Sequence, residues 1–421
     1  MVALSLSYFM FMALLFSLVF YLKRAGGLVF FLAFFWFAAK IPFYFLGEAF
    51  LPDGIDPNIF TEENYTWLVL VKSLFLWSAF LPFVLFSKRG RAEGLDTFIS
   101  GKFILFIFAA YFAVLALYFS SIGGLYYLWG NMFQRGDIIR GSAFYITFLW
   151  SISIFLVFSF VRYPVVVQLI LTLILAGSIY LAYGGRSFSL GLVVFWFVCY
   201  FLSFGRLPFR ILSVRSLIIS FALLCFVIIT PSLRQGGVGL DDLWAIVIKN
   251  WAEIFQRLAV PQVEFLVIDY FSSDSYWFGR SWADLFYAFC PINYCQNKPP
   301  MDDGVYLYNI YLSGSVQVGQ RVDQLVASSY PFETWSIFYA NFGLIGVVVG
   351  GGLFGLFLAY LNNMYYAGSS FSRAVAIASM GCVALNFAHF SNVYFFLFFL
   401  PILIFSFLYY ASRFSSRLKF L

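Results

Sequence analysis

Ten basic residues stand out as groups that could hold an anion: Lys40, Lys72, Arg135, Arg140, Arg186, Arg234, Arg257, Arg280, Lys298 and Arg321. The chain around them is 63% hydrophobic, so a charge must be paired, wet or used. Arg and Lys grip phosphoryl oxygens through charge-assisted hydrogen bonds, and Arg can do so with two parallel donors. The chemistry this set suits is binding of an anionic headgroup, with pyrophosphate the first candidate. Arg186 follows Gly184-Gly185, and glycines allow a tight turn there. Lys40 and Lys72 also admit a plainer role, in which long side chains reach the headgroups from just inside the bilayer.

Proton transfer needs a second kind of group. Glu333 and His389, the one histidine, are the candidate bases. A carboxyl pKa raised by burial would suit Glu333. A buried histidine with satisfied ring nitrogens is the alternative for His389. No Asp-x-Asp motif is present. Asp241-Asp242 and Asp302-Asp303 read as solvated loop acids, so neither a metal nor another cofactor is expected. Cys199, Cys225 and Cys382 fall in apolar stretches, whereas Cys290 and Cys295 lie close enough in a polar stretch to form a local disulfide.

Membrane helices must position these groups. Only 10% of the 421 residues are charged, against about a quarter in soluble domains. Apolar runs of about 20 residues, the length that crosses a bilayer, recur along the chain. They predict eleven spans near 3–22, 27–46, 66–86, 103–122, 143–161, 164–183, 187–204, 212–230, 334–361, 374–390 and 392–411. Lys23-Arg24 follow the first run instead of preceding it, which favours a retained helix over a cleaved signal. The expected fold is an all-α polytopic membrane protein with one large, partly helical periplasmic loop. Residues 1–230 form a first bundle, 231–333 the loop, and 334–421 the last spans and a basic tail.

Lys and Arg cluster in alternate connections: Lys23-Arg24, Lys88 to Lys102, Arg162, Arg206 to Arg215, Arg373 and Arg413 to Lys419. The positive-inside rule makes that side cytoplasmic, with the N-terminus outside and the C-terminus inside. Of 19 acids, only Glu93 and Asp96 fall on the basic side. The 231–333 loop is then exoplasmic. Its Asp241–Leu258 stretch patterns as an amphipathic helix, with Leu243, Val247, Trp251, Ile254 and Leu258 on one face. The basic groups that break the rule converge on the outer interface from distant parts of the chain. Nucleic acid is not an expected partner. Gly343, Gly346, Gly350, Gly351, Gly352 and Gly355 predict close helix packing.

Several of these residues resemble, in order and spacing, the Wzy-type O-antigen polymerases, which join oligosaccharide repeat units. The turn Leu181-Ala-Tyr-Gly-Gly-Arg186-Ser resembles their glycine-arginine turn. Arg234 in Ser-Leu-Arg-Gln matches the arginine that opens their large periplasmic loop, and Arg257 in Phe-Gln-Arg-Leu matches one on the helix that follows. Phe278-Gly-Arg-Ser-Trp through Lys298-Pro299 resembles a later loop segment, although the Trp common before Lys-Pro is absent. Tyr339-Ala-Asn-Phe-Gly343-Leu-Ile-Gly346 is similar to the stretch that re-enters the membrane.

The resemblance implies a glycosyltransferase of the bacterial inner membrane whose active site faces the periplasm. A growing glycan would leave polyprenyl pyrophosphate and pass to a sugar hydroxyl of a second lipid-linked repeat unit. Arg186, Arg234 and Arg257 would stabilise the departing pyrophosphate. Glu333 or His389 would take the hydroxyl proton. Arg280, Lys298, Arg321, Lys40, Lys72, Arg135, Arg140 and Tyr339 would bind substrate. The implied partners are the lipid-linked donor and acceptor, the bilayer and a membrane-anchored chain-length determinant. An O-antigen ligase would share the donor and the arginines. A flippase or transporter for lipid-linked oligosaccharide would suit the size and hydrophobicity.

Overall fold

The computed structural model describes residues 2–21, 25–41, 61–88, 99–131, 138, 143–183, 186–206, 208, 225, 262–271, 275–287, 295, 298–300, 302–326, 329–330, 332–386 and 392–417. These residues are helical or irregular, with no strand among them. The principal helices are α1 (Val2–Tyr21), α2 (Ala25–Ala39), α3 (Glu62–Phe86), α4 (Gly101–Ser121), α5 (Ala143–Phe160), α6 (Val165–Tyr183), α7 (Arg186–Phe204), α8 (Gln262–Tyr270), α9 (Asp303–Ser313), α10 (Thr334–Ala367), α11 (Ser370–Asn386) and α12 (Asn392–Arg417). Four helical stretches among the described residues are long and apolar enough to cross a membrane: Glu62–Phe86, Gly101–Ser121, Val165–Tyr183 and Thr334–Tyr366. By length and composition these are helices of a membrane protein. The expected span at 212–230 and the Asp241–Leu258 helix lie outside the described residues, apart from Cys225.

The chain packs as two units. One comprises Met1–Arg89, Phe255–Asn363 and Asn386–Phe396. At its centre α10 crosses α3 backbone to backbone. A Cβ on Gly351 would stand 2.5 Å from the Phe75 carbonyl oxygen, and one on Gly355 would stand 2.0 Å from that of Ala79. The glycines are there because nothing larger fits, as the small-residue pattern predicts. On α2, Phe30 and Phe34 fill the space beside this crossing, ringed by Phe75, Phe80, Phe83 and Phe354. Asn362 and Asn363 cap the end of α3: Asn363 Oδ1 accepts from Lys88 N at 2.7 Å and Asn362 Nδ2 donates to Lys88 O at 2.9 Å. Asn362 Oδ1 also accepts from Gly26 N at 3.0 Å, so the start of α2 and the ends of α3 and α10 share one end of the unit.

The span expected at 334–361 is not one continuous helix. Phe342 and Gly343 leave helical geometry, and Gly343 has a φ of 59°. The segment before the break folds back on the segment after it. A Cβ on Gly346 would lie 2.2 Å from Phe338 O, and one on Gly350 would lie 2.3 Å from the Phe338 ring. In a straight helix Phe338 and Gly350 would be about 18 Å apart. The element is therefore a helical hairpin, with a short arm Thr334–Asn341 and a long arm from Leu344 onward. The long arm rises about 36 Å, enough to span a ~30 Å hydrocarbon core alone.

The second unit comprises Gly90–Ile254, Met364–Leu385 and Leu397–Leu421. Here α4 to α7 pack with buried polar ties. Tyr118 donates to Ala182 O at 2.6 Å, Ser189 to Ala176 O at 2.8 Å and Trp196 Nε1 to Gln168 Oε1 at 2.9 Å. Gly381 of α11 admits the Phe195 ring of α7, and Phe405 of α12 packs on Phe158 of α5. Helix α6 ends at Tyr183 and α7 begins at Arg186, leaving only the two expected glycines between them.

Candidate functional site

Three sequence-singled residues meet in the first unit. Lys40 follows the last turn of α2, Lys72 lies within α3, and Glu333 immediately precedes α10. A fourth residue, Glu264 in the first turn of α8, joins them. Lys40 Nζ is 2.7 Å from Glu264 Oε1 and 2.6 Å from Glu333 Oε1. Lys72 Nζ is 3.2 Å from Glu264 Oε1 and 3.0 Å from Glu333 Oε2. Each lysine thus bridges both carboxylates, and the formal charges cancel.

The local structure explains why each sign sits where it does. Carboxylates are favoured at helix N-termini and cations just past a C-terminus. Glu264 and Glu333 occupy the first kind of position and Lys40 the second. Lys72 has no such help, standing about 15 Å along α3 with its side chain fully buried. An isolated ammonium there would be costly, and its two carboxylates offset that cost. Trp335 completes the shell: its Nε1 donates to Glu333 Oε2 at 2.7 Å, and Lys72 Nζ lies 5.9 Å from its ring centroid. Tyr65 of α3 meets Phe265 of α8 edge to face at 4.9 Å, seating the helix that delivers Glu264.

Burial alone would raise the Glu333 carboxyl pKa, but the Lys40 and Lys72 ammonium groups outweigh it and hold the carboxyl well below the usual carboxylate range. The raised value that would suit a base is therefore not found. In this arrangement Glu333 is a weak proton acceptor and an anchor for two cations. Asp284 has the opposite setting. It is buried, and burial pushes its carboxyl up to about 6 against the hydrogen bond from Tyr306, whose hydroxyl donates to Asp284 Oδ2 at 2.8 Å. Gly319 N in turn donates to the Tyr306 oxygen at 2.9 Å.

Tyr339 stands beside the ionic lattice. Its hydroxyl accepts from Trp67 Nε1 at 3.3 Å, and its ring lies 6.2 Å from Trp335 and 6.0 Å from Tyr276. Burial, with Tyr339 close by, pushes the Tyr276 hydroxyl up to about 12. The polar segment after Tyr276 is fastened to the hairpin. Trp277 N donates to Ala340 O at 3.0 Å, Phe278 N to Asn341 O at 2.9 Å and Gly279 N to Asn341 Oδ1 at 2.9 Å. The Asn-Phe-Gly motif thus has a structural basis. Asn341 holds the loop, and Gly343 adopts the turn where a Cβ would meet the Tyr276 ring at 2.7 Å.

The other expected site residues fare differently. Arg280 is exposed, in one turn of helix at Arg280–Ala283. Arg321 pairs with Asp323 at 2.6 Å on the surface. Lys298 is partly buried, which lowers its pKa. Arg186 opens α7, and its side chain is outside the described set. Arg135, Arg140, Arg234, Arg257 and His389 lie outside the described residues, as does Cys290. Cys295 is disulfide-bonded, whereas Cys199, Cys225 and Cys382 are free.

Asp302 and Asp303 are not solvated acids: Asp302 caps α9 by accepting from Gly304 N at 3.0 Å, and Asp303 is fully buried. Among the described residues no group of three or more His, Cys, Asp or Glu could hold a metal ion. Glu264 and Asp284 escaped the sequence reading. A lysine within an apolar span demands a carboxylate partner, and acids in first helical turns were the places to look. No family model matches this chain, and no curated protein or solved structure matches it.

Proposed function

We propose that this protein is a glycosyltransferase of the bacterial inner membrane that polymerises lipid-linked oligosaccharide repeat units at the periplasmic face. The observation that carries this reading is the joining of membrane and loop elements in one place. Lys40 and Lys72 of the apolar helices bind Glu264 and Glu333, which flank the polar segment. The same segment presents Arg280 from a turn fastened to Asn341. An enzyme that works on a lipid-linked glycan needs this construction, because its substrate has a hydrocarbon part and a sugar part.

In the reaction, the bond between the anomeric carbon and a pyrophosphate oxygen breaks. A bond forms from that carbon to the acceptor hydroxyl oxygen, whose proton passes to a base. Charge grows on the departing pyrophosphate, and fixed cations lower the barrier by stabilising it. In this reading Arg186, Arg234 and Arg257 take that role, with Arg280 and Lys298 as second choices. Lys40 and Lys72 do not, since carboxylates occupy them. Asp284 has the proton affinity that acid–base work near neutral pH calls for, and with His389 it is the group to test. The acceptor is a second lipid-linked unit, and a chain-length determinant would act alongside.

One observation favours a second reading. A buried ionic network on membrane helices is also the kind of feature that couples ion movement to transport. A flippase for the same lipid-linked unit would use it so. Surface glycan from cells lacking the protein separates the readings, with complementation by wild type, Arg186→Ala, Arg234→Ala or Arg257→Ala and membrane insertion verified. A polymerase leaves single repeats on the lipid A core and no ladder with the Arg variants. A ligase leaves bare core and accumulated lipid-linked polymer. Units stranded on the cytoplasmic face mean a transporter.

A further inference from the structure

An apolar slot of about 380 Å³ runs down the first unit on the hairpin. Phe278 and Trp282 of the loop turn form its upper wall, Phe338 and Phe342 its side, and Val349 and Leu353 of the long arm its lower floor. Between Ile345 and Leu353 it follows the helix for about 12 Å, close to the ~15 Å of half a hydrocarbon core. Its depth is thus that of one leaflet. Val349 and Leu353 are 53% and 58% exposed, so the lower end lies open on the face of a helix apolar enough to cross the membrane.

The upper end is built, not incidental. Phe278 has a φ of 49°, a left-handed conformation a phenylalanine rarely adopts, and is still 63% exposed. The hydrogen bonds from Phe278 N and Gly279 N to Asn341 hold it there. Between Phe278 and Trp282 the chain presents Arg280, which is exposed and forms no ion pair with a described residue. The slot therefore combines a hydrocarbon-lined, leaflet-deep channel with an exposed arginine on the same turn as two of its lining residues, Phe278 and Trp282. That pairing is complementary to a lipid with one long chain and a phosphate head.

We propose that this slot holds the isoprenoid chain of a polyprenyl phosphate lipid, with Arg280 against the phosphate. The identity of the lipid rests on the polymerase reading; the slot and its cation do not. The test uses the full-length protein in phosphatidylcholine nanodiscs and a polyprenyl phosphate carrying a diazirine in its chain. Crosslinks are expected on the peptides bearing Phe278, Val349 and Leu353, and unlabelled polyprenyl phosphate should compete. Leu353→Trp, which fills the slot from an exposed position, should cut labelling severalfold. Arg280→Gln should cut it about tenfold, the loss of one charge-assisted hydrogen bond, and leave labelling by uncharged polyprenol unchanged.

Labelling elsewhere overturns the assignment. So does equal competition by phosphatidylglycerol, or insensitivity to both variants. Labelling as expected in a protein whose loss leaves the glycan ladder intact supports the slot and overturns the polymerase reading. A ladder lost on deletion, with no labelling of the slot, does the reverse.

Discussion

Lys40 Nζ stands 2.6 Å from Glu333 Oε1 across 293 residues of chain, with the same Nζ 2.7 Å from Glu264 Oε1. That contact closes the first unit. It ties the end of α2 to the start of the hairpin and to the helix that precedes the Tyr276–Arg280 turn.

Breaking the lattice on one side should unfold more than it saves. Lys72→Met leaves two carboxylates facing one lysine in a buried site, at a cost of about 3–5 kcal/mol. Lys72→Met with Glu333→Gln removes one charge of each sign and should recover part of the loss. Thermal unfolding of the detergent-solubilised variants gives the coupling energy. Additive effects of the two substitutions would show that the lattice is not a unit.

Two carboxyls should give opposite pH dependence. Glu333 has a depressed folded pKa, so its stabilisation is present above the unfolded value of about 4.3 and is lost only as pH falls below it. Asp284 has a raised one, at about 6. The folded state then binds the extra proton, and stability falls as pH rises from about 4 to about 6. Asp284→Asn should abolish that fall and cost nothing at neutral pH. Unfolding midpoints from about pH 6 down to well below pH 4 check both signs, Asp284 in the upper part and Glu333 in the lower; an unchanged slope between about pH 4 and 6 in Asp284→Asn would remove Asp284 as its source.

The Asn341 side chain is the fastening of the loop turn. Asn341→Ala strands Gly279 N and should cost about 1–3 kcal/mol. Limited proteolysis should then cut at Arg280, which the wild type protects through its mounted turn. Resistance equal to wild type would mean that the backbone bonds to Ala340 and Asn341 suffice.

Gly355→Leu should prevent assembly of the first unit, since even a Cβ would lie 2.0 Å from Ala79 O. Gly352→Leu is the control, because its Cβ would meet only Ser78 O at 4.0 Å. Yield of monodisperse protein after extraction should fall for the first and hold for the second.

Arg321→Gln should leave the unfolding temperature unchanged, because its partner Asp323 is an exposed neighbour and such pairs are screened by solvent. Any loss of glycan ladder in that variant would report on substrate contact alone.

Much of this was legible in the amino-acid sequence because it depends on near neighbours. Hydrophobic run lengths mark the helices, and the paired glycines at 184–185 mark where one helix ends and the next begins. The glycines from Gly351 to Gly355 announce a close crossing, although not with which helix. The sequence also singled out Lys40 and Lys72 by the cost of charge in an apolar setting, and Glu333 as a candidate base. What it assigned wrongly was their availability. Two lysines read as open to a phosphate are engaged by carboxylates, and the Glu333 expected to gain from burial is held ionised by those lysines.

Only the tertiary structure could decide that, because pairing depends on which helices pack together. Glu264 is an unremarkable acid in Gln-Val-Glu-Phe until α8 docks on α3 through Tyr65 and Phe265. The fold-back at Phe342–Gly343 is likewise invisible in an apolar pattern that continues across it. It requires Phe338, Gly346 and Gly350 to meet, and that contact exists only when the two arms are packed. Local composition thus determined where helices form and which charges are costly; the packing of distant helices determined which charges neutralise one another and which, like Arg280, are left exposed.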